Sequence, residues 1–156
     1  MNEKLKNKSR WSWTVLIIVL GLVSVGIVRS VGISHRVPDI SLKDGEAVLS
    51  PVMIGVESVY MDIINNGGAD ELISVKTSFP KSIVILHDVQ DGRMVQKDRI
   101  SVPAGASISL RPGGLHIMLF NMPPTLKEGD VITLHLVFAK SGERQVQAGV
   151  IREHQR

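Results

Sequence analysis

Two histidines and two methionines in this 156-residue sequence have types and spacings suited to holding a metal ion. His116-Ile117-Met118 is an i, i+2 pair, so on a strand its imidazole and thioether point to the same face. Pro112-Gly113-Gly114 marks a tight bend just ahead of it, which sets the pair at the rim of the fold. His87 and Met94 are separated by six residues that include Asp91-Gly92, a hairpin signal. The expected hairpin has a six-residue loop and brings these two side chains together at its mouth. Two imidazoles and two thioethers form a soft, uncharged donor set. Such a set favours Cu(I), whereas Zn²⁺ would call for thiolate, carboxylate or more imidazole. Thioethers do not form disulfides and hold the ion exchangeably, which suits a carrier. Each residue also has an ordinary reading. Met118 beside Ile117, Leu119 and Phe120 fits core packing, and His87 at a strand end fits a solvated position. Met61 and Met122 are read as outer neighbours of the site, with core packing as the alternative for Met61. His35, His135 and His154 are read as connector, strand and tail residues outside it.

The elements that must position these side chains are short runs rich in Val, Ile and Leu. They are read over Ala47–Val52, Val56–Asn65, Leu72–Ser78, Ser82–His87 and Met94–Gln96, then Arg99–Val102, Ser107–Arg111, His116–Phe120, Val131–Ala139 and Arg144–Ile151. Asn65-Asn66-Gly67-Gly68, Pro103-Ala104-Gly105, Pro123-Pro124 and Ser141-Gly142 punctuate them. No stretch beyond residue 45 keeps a helical period. The class is therefore mainly β, an antiparallel β-sandwich or Greek-key barrel.

Composition narrows the function. The sequence has no cysteine, which removes disulfides, thiolate zinc sites, cysteine nucleophiles and iron–sulfur clusters. Aromatics make up only 4%, too few for a base-stacking platform. The net charge of +3 comes from one end: residues 1–36 hold six Lys/Arg and one acid, and residues 37–156 hold twelve and fourteen. The body therefore has no positive excess for phosphates, and no nucleic-acid partner is expected. No phosphate loop, nucleophile elbow or HExxH motif is present, so an enzyme is not expected.

The amino end reads as an export segment. Lys4, Lys6, Lys8 and Arg10 precede Trp11–Val28, eighteen residues without a charge. As a helix this run is roughly 27 Å long, enough to span a hydrocarbon core. The lysines would hold its start in the cytoplasm, with the tryptophans at headgroup level. Its length favours a retained signal anchor over a cleaved signal peptide. Either way the body lies on the extracytoplasmic side, in the periplasm of a two-membrane cell, tethered to the cytoplasmic membrane if the anchor is kept.

The sequence resembles the PCuAC-type periplasmic copper(I) chaperones, whose motif is H-x10-M-x21-H-x-M. Met94, His116 and Met118 keep the second and third intervals, while His87 precedes Met94 by six intervening residues rather than ten. Tyr60–Gly67, Val102–Gly105, Leu110–Leu119 and Leu126–Asp130 carry the rest of the likeness, which covers roughly residues 47–150. The resemblance implies a cupredoxin-like Greek-key barrel with a surface-proximal Cu(I) site. It implies His87, Met94, His116 and Met118 as ligands, and copper delivery to a recipient. That recipient would be the CuA subunit of a haem–copper oxidase or another copper chaperone. The expected organisation is an N-terminal signal anchor or signal peptide at 1–32, a linker at 33–45 and the copper-chaperone barrel at 46–152. The competing reading is a β-sandwich interaction or assembly module at the membrane surface that binds no metal.

Overall fold

A computed structural model describes residues 36–152. The expected N-terminal segment 1–32, the first part of the linker, His35 and His154 lie outside the described residues. Aliphatic residues alternate with polar ones along most of the runs, so each strand buries one face. Ten strands result: β1 (Ile40–Leu49), β2 (Val56–Asn65), β3 (Asp70–Thr77), β4 (Ile83–Gln90), β5 (Arg93–Lys97), β6 (Ile100–Val102), β7 (Ser107–Leu110), β8 (His116–Phe120), β9 (Val131–Phe138) and β10 (Gly142–Arg152). Among the described residues no helix is long and apolar enough to cross a membrane.

The strands form one sheet in the order β5-β4-β8-β2-β1-β10-β9-β3-β6, with β7 also paired to β2. It curls into a nearly closed barrel, β3 and β4 approaching one another across the gap. The fold is mainly β and cupredoxin-like, as the sequence suggested. It departs from a purely antiparallel sheet at one seam, where β1 runs parallel to β10 with Glu46 opposite Gly149. β1 also begins inside the expected linker. A register shift between Lys43 and Glu46, with Asp44 at φ 55°, interrupts its alternation and makes the segment read as a connector.

The interior is filled from the inward faces of all but the outermost strand. Val59, Met61 and Ile63 of β2 pack with Ile117 and Leu119 of β8 and with Leu134, Leu136 and Phe138 of β9. The outward face of β2, β4 and β8 is therefore left for other work.

Four polar side chains are buried among the described residues: Glu57, Asn65, Asp70 and His116. Two of them staple turns. Asn65 Oδ1 accepts from the Gly67 and Asp39 N–H groups (3.0 and 3.2 Å), and its amide donates to the Gly68 and Pro103 carbonyls (2.7 and 3.0 Å). A side chain on Gly68 would collide with the Arg36 carbonyl, so this turn demands glycine there. Asp70 accepts from the backbone of Glu71, Lys140 and Ser141 and from the Ser141 hydroxyl. Glu57 differs: its Oε2 is buried without a partner, and burial raises its pKa to about 7.

Asn65→Ala removes the shared partner of three segments and should cost about 2–4 kcal/mol in denaturant unfolding. Glu57 gives a pH signature. Between its ordinary value of 4.5 and about 7 the folded state holds the proton and the unfolded chain does not, so stability falls as pH rises through that window. Glu57→Gln should therefore be more stable than the parent by about 3 kcal/mol at pH 8, with the advantage vanishing toward pH 4.5. Paired thermal melts at the two pH values measure it.

Candidate metal centre

The outward face of three adjacent strands gathers the sequence-nominated residues. β8 lies between β4 and β2, with His116 directly opposite His87, and Met118 opposite Ile85 on one side and Ser58 on the other. The His87 and His116 ring centroids are 5.6 Å apart, and the Tyr60 ring stands 6.4 Å from His116 on the far side. Met94 lies on β5 opposite Val89, and His87 opposite Gln96, so Met94 shares the face one pleat further along. Met94 therefore stands diagonal to His87, a separation that a long side chain can span.

That register corrects the expected six-residue loop. His87 sits inside β4, which continues to Gln90, and a two-residue turn at Asp91-Gly92 makes the reversal. Both turn residues have positive φ (50° and 72°), as a type I′ hairpin requires. The polar residues Asp88 and Gln90 hid the end of the strand, which continues past Leu86, its buried core residue.

The bend before β8 is also built rather than slack. The Arg111 N–H donates to the Leu115 carbonyl (2.8 Å), the Gly114 N–H donates to the Arg111 carbonyl (3.1 Å), and Gly113 takes φ 78°. Asp62 anchors its start, accepting from Ser109 Oγ (2.6 Å) and Arg111 Nη2 (2.7 Å). The Ser109 hydrogen bond, then Arg111, hold the Asp62 carboxyl below the usual range.

The bend places the Gly114 carbonyl 2.8 Å from His116 Nδ1. A carbonyl only accepts, so Nδ1 carries the hydrogen and the neutral ring keeps its lone pair on Nε2. His116 is 4% exposed and Met118 7%, whereas Met94 is 65% exposed. The Ser58 hydroxyl donates to Met118 Sδ at 3.2 Å, fixing that thioether's direction. His87 Nδ1 is buried with no hydrogen-bond partner. Burial, and then the facing His116, lower the His87 pKa and so favour its neutral, lone-pair form. A buried ring nitrogen facing a second imidazole, beside one fixed thioether and one exposed thioether, fits a soft monovalent cation.

An open cavity of about 1230 Å³ adjoins this face, lined in part by Met94, Met118, Ser58, Tyr60 and Met53. Among the described residues no three His, Cys, Asp or Glu side chains come together to hold a metal, so a hard-ligand centre has no donor set there. The outer-neighbour reading fails for Met61 and Met122, and the core alternative holds for Met61. Met61 alternates onto the inward face of β2 and is fully buried in the core, and Met122 lies in the same core. Neither neighbours the site. His135 is on β9, bonded to the Glu143 carboxylate at 2.8 Å. Ser58, Tyr60 and Met53 went unnominated. The period-two pattern of Ser58 and Tyr60 was visible, but which strand lies beside β8 is not a local property.

The chain matches the family LpqE-like, described as "Putative lipoprotein LpqE-like", over residues 40–150. It is 29% identical over 101 residues to "Putative lipoprotein Lxx21020" of Leifsonia xyli subsp. xyli (strain CTCB07), spanning 62% of this chain and 61% of that protein's length. Three solved structures share the fold. The copper-bound PCuAC domain from PmoF2 superposes with a TM-score of 0.64 at 24% identity, covering 76% of this chain and 99% of that one. The apo PCuAC domain from PmoF1 gives 0.62 at 26%, covering 76% and 100%. The solution structure of CuI-DR1885 from Deinococcus radiodurans gives 0.61 at 20%, covering 75% and 80%. The barrel described above is thus the PCuAC fold.

Proposed function

The chain belongs to the LpqE-like family, and from that premise we propose that it is an extracytoplasmic Cu(I) metallochaperone, with copper as cargo. The observation that carries this reading is the row His87–His116 with Met118 and Met94 on one sheet face, in which His87 Nδ1 is buried and unpartnered. The names of the PmoF2 and DR1885 structures, which record bound copper, support it. In this reading His87 and His116 supply imidazole nitrogen while Met118 and Met94 supply sulfur. All four donors are neutral, so the ion keeps its single positive charge and no proton need be released when it leaves. The exposed Met94 is the donor most accessible to a partner, and transfer proceeds by exchange of one neutral ligand for another. The copper stays Cu(I) throughout, and the protein acts as a carrier rather than a catalyst.

The recipient in this proposal is a copper-accepting protein such as the CuA subunit of a haem–copper oxidase, or another copper chaperone. We place the domain outside the cytoplasm, in line with the lipoprotein names of its family and relative. The sequence has no cysteine to carry a thioether-linked lipid. In this reading the apolar run Trp11–Val28 tethers it to the cytoplasmic membrane.

Titration of the full-length chain in detergent with Cu(I) should give one tight equivalent, and His116→Ala/Met118→Ala should abolish it. Unchanged stoichiometry and affinity in the double variant would exclude this site. Cu(I) at a hundredfold its Kd should also stabilise the fold by about 2.7 kcal/mol, read as a raised Tm. A copper-indifferent Tm would favour the non-metal interaction module instead.

A further inference from the structure

Five methionines follow residue 50, and the structure sorts them sharply. Met61 and Met122 are buried in the core. Met53, Met94 and Met118 line one cavity on the outward face. Met53 sits on the β1–β2 loop, 52% exposed between Val52 and Ile54, and takes no part in the core. Nothing in the packing of the barrel calls for a long apolar side chain there.

The loop that carries it is defined. The Ser50 N–H donates to the Val56 carbonyl at 3.0 Å and closes its base. Ser50 Oγ then accepts from the N–H groups of Met53 (3.1 Å) and Val52 (3.4 Å). Gly55 takes φ 76° with the Met122 carbonyl 2.9 Å from where a Cβ would stand, and its own carbonyl accepts from the Met122 N–H at 3.2 Å. The loop is therefore clipped to Met122, two residues beyond β8, the strand that carries Met118. A soft donor is held on a fixed support at the rim of a cavity that two others also line.

Building on the Cu(I) reading, we infer that Met53 is a further copper-binding thioether, a relay donor that engages the ion as it arrives or departs. The exchange is balanced without redox chemistry. One neutral donor leaves Cu(I) as Met53 sulfur binds, and charge and oxidation state do not change. A fifth soft donor near a four-donor site lowers the cost of each ligand loss, because the ion need not become under-coordinated before a partner takes over.

The test labels the methionine methyl carbons with ¹³C in the full-length chain in detergent and follows them by NMR as Cu(I) is added, with Met61 and Met122 as internal controls. The Met53, Met94 and Met118 methyls should shift while the controls hold still. In stopped-flow transfer to a chromogenic Cu(I) chelator, Met53→Leu should slow release by about tenfold, with an unchanged Tm in the metal-free state. Shifts at Met94 and Met118 with a silent Met53, or an unaltered release rate in Met53→Leu, overturn the relay and leave the copper site standing. No shift at any of the three overturns both.

Discussion

β8 has to be buried on both faces, and the arrangement of the barrel follows from that constraint. Four of its five residues, His116 to Leu119, are inaccessible, although the strand alternates inward and outward like any other. Ile117 and Leu119 close the core, and His116 and Met118 face outward yet are covered. A strand can meet both demands only with a neighbour on each side, and β4 and β2 supply them. The same pairings that seal the interior also place His87, Ser58 and Tyr60 around the outward pair. Core stability and site geometry are therefore set by one set of backbone hydrogen bonds.

The buried polar groups fall into two kinds. Asn65 and Asp70 are saturated by backbone partners, and each stitches loops that are distant in sequence. His87 Nδ1 and Glu57 Oε2 are left unpartnered. An unpaired buried polar atom costs free energy, about 1–3 kcal/mol each. In the proposed Cu(I) site the His87 ring would donate to the ion, which would offset that cost. Glu57 meets the same problem by keeping its proton to near-neutral pH.

Much of the molecule could be read from local sequence. Period two placed His116 and Met118 on one face, and nine of the ten strands fall within a few residues of their predicted runs. The errors share one physical origin, which is that local pattern does not encode what lies alongside. Of the two readings of Met61, outer neighbour or core, alternation along β2 selects the core. β1 was shortened because its bulge at Asp44-Gly45 looks like a linker. The hairpin loop is shorter than expected because β4 runs on past its last core residue, Leu86, where polar residues such as Asp88 and Gln90 are tolerated. Met53 carries no pattern at all, since a loop side chain acquires meaning only from the surface it meets.

The parallel seam between β1 and β10 joins residues about a hundred positions apart, Glu46 with Gly149. The entropy of closing so long a loop must be met before those contacts return anything. The β4–β5 hairpin, by contrast, needs only a two-residue reversal and zips within microseconds. Order of assembly follows: the hairpin precedes the seam, and the barrel shuts last. Until the seam forms, β1 and β10 each expose an unpaired edge open to mispairing with other copies of the chain.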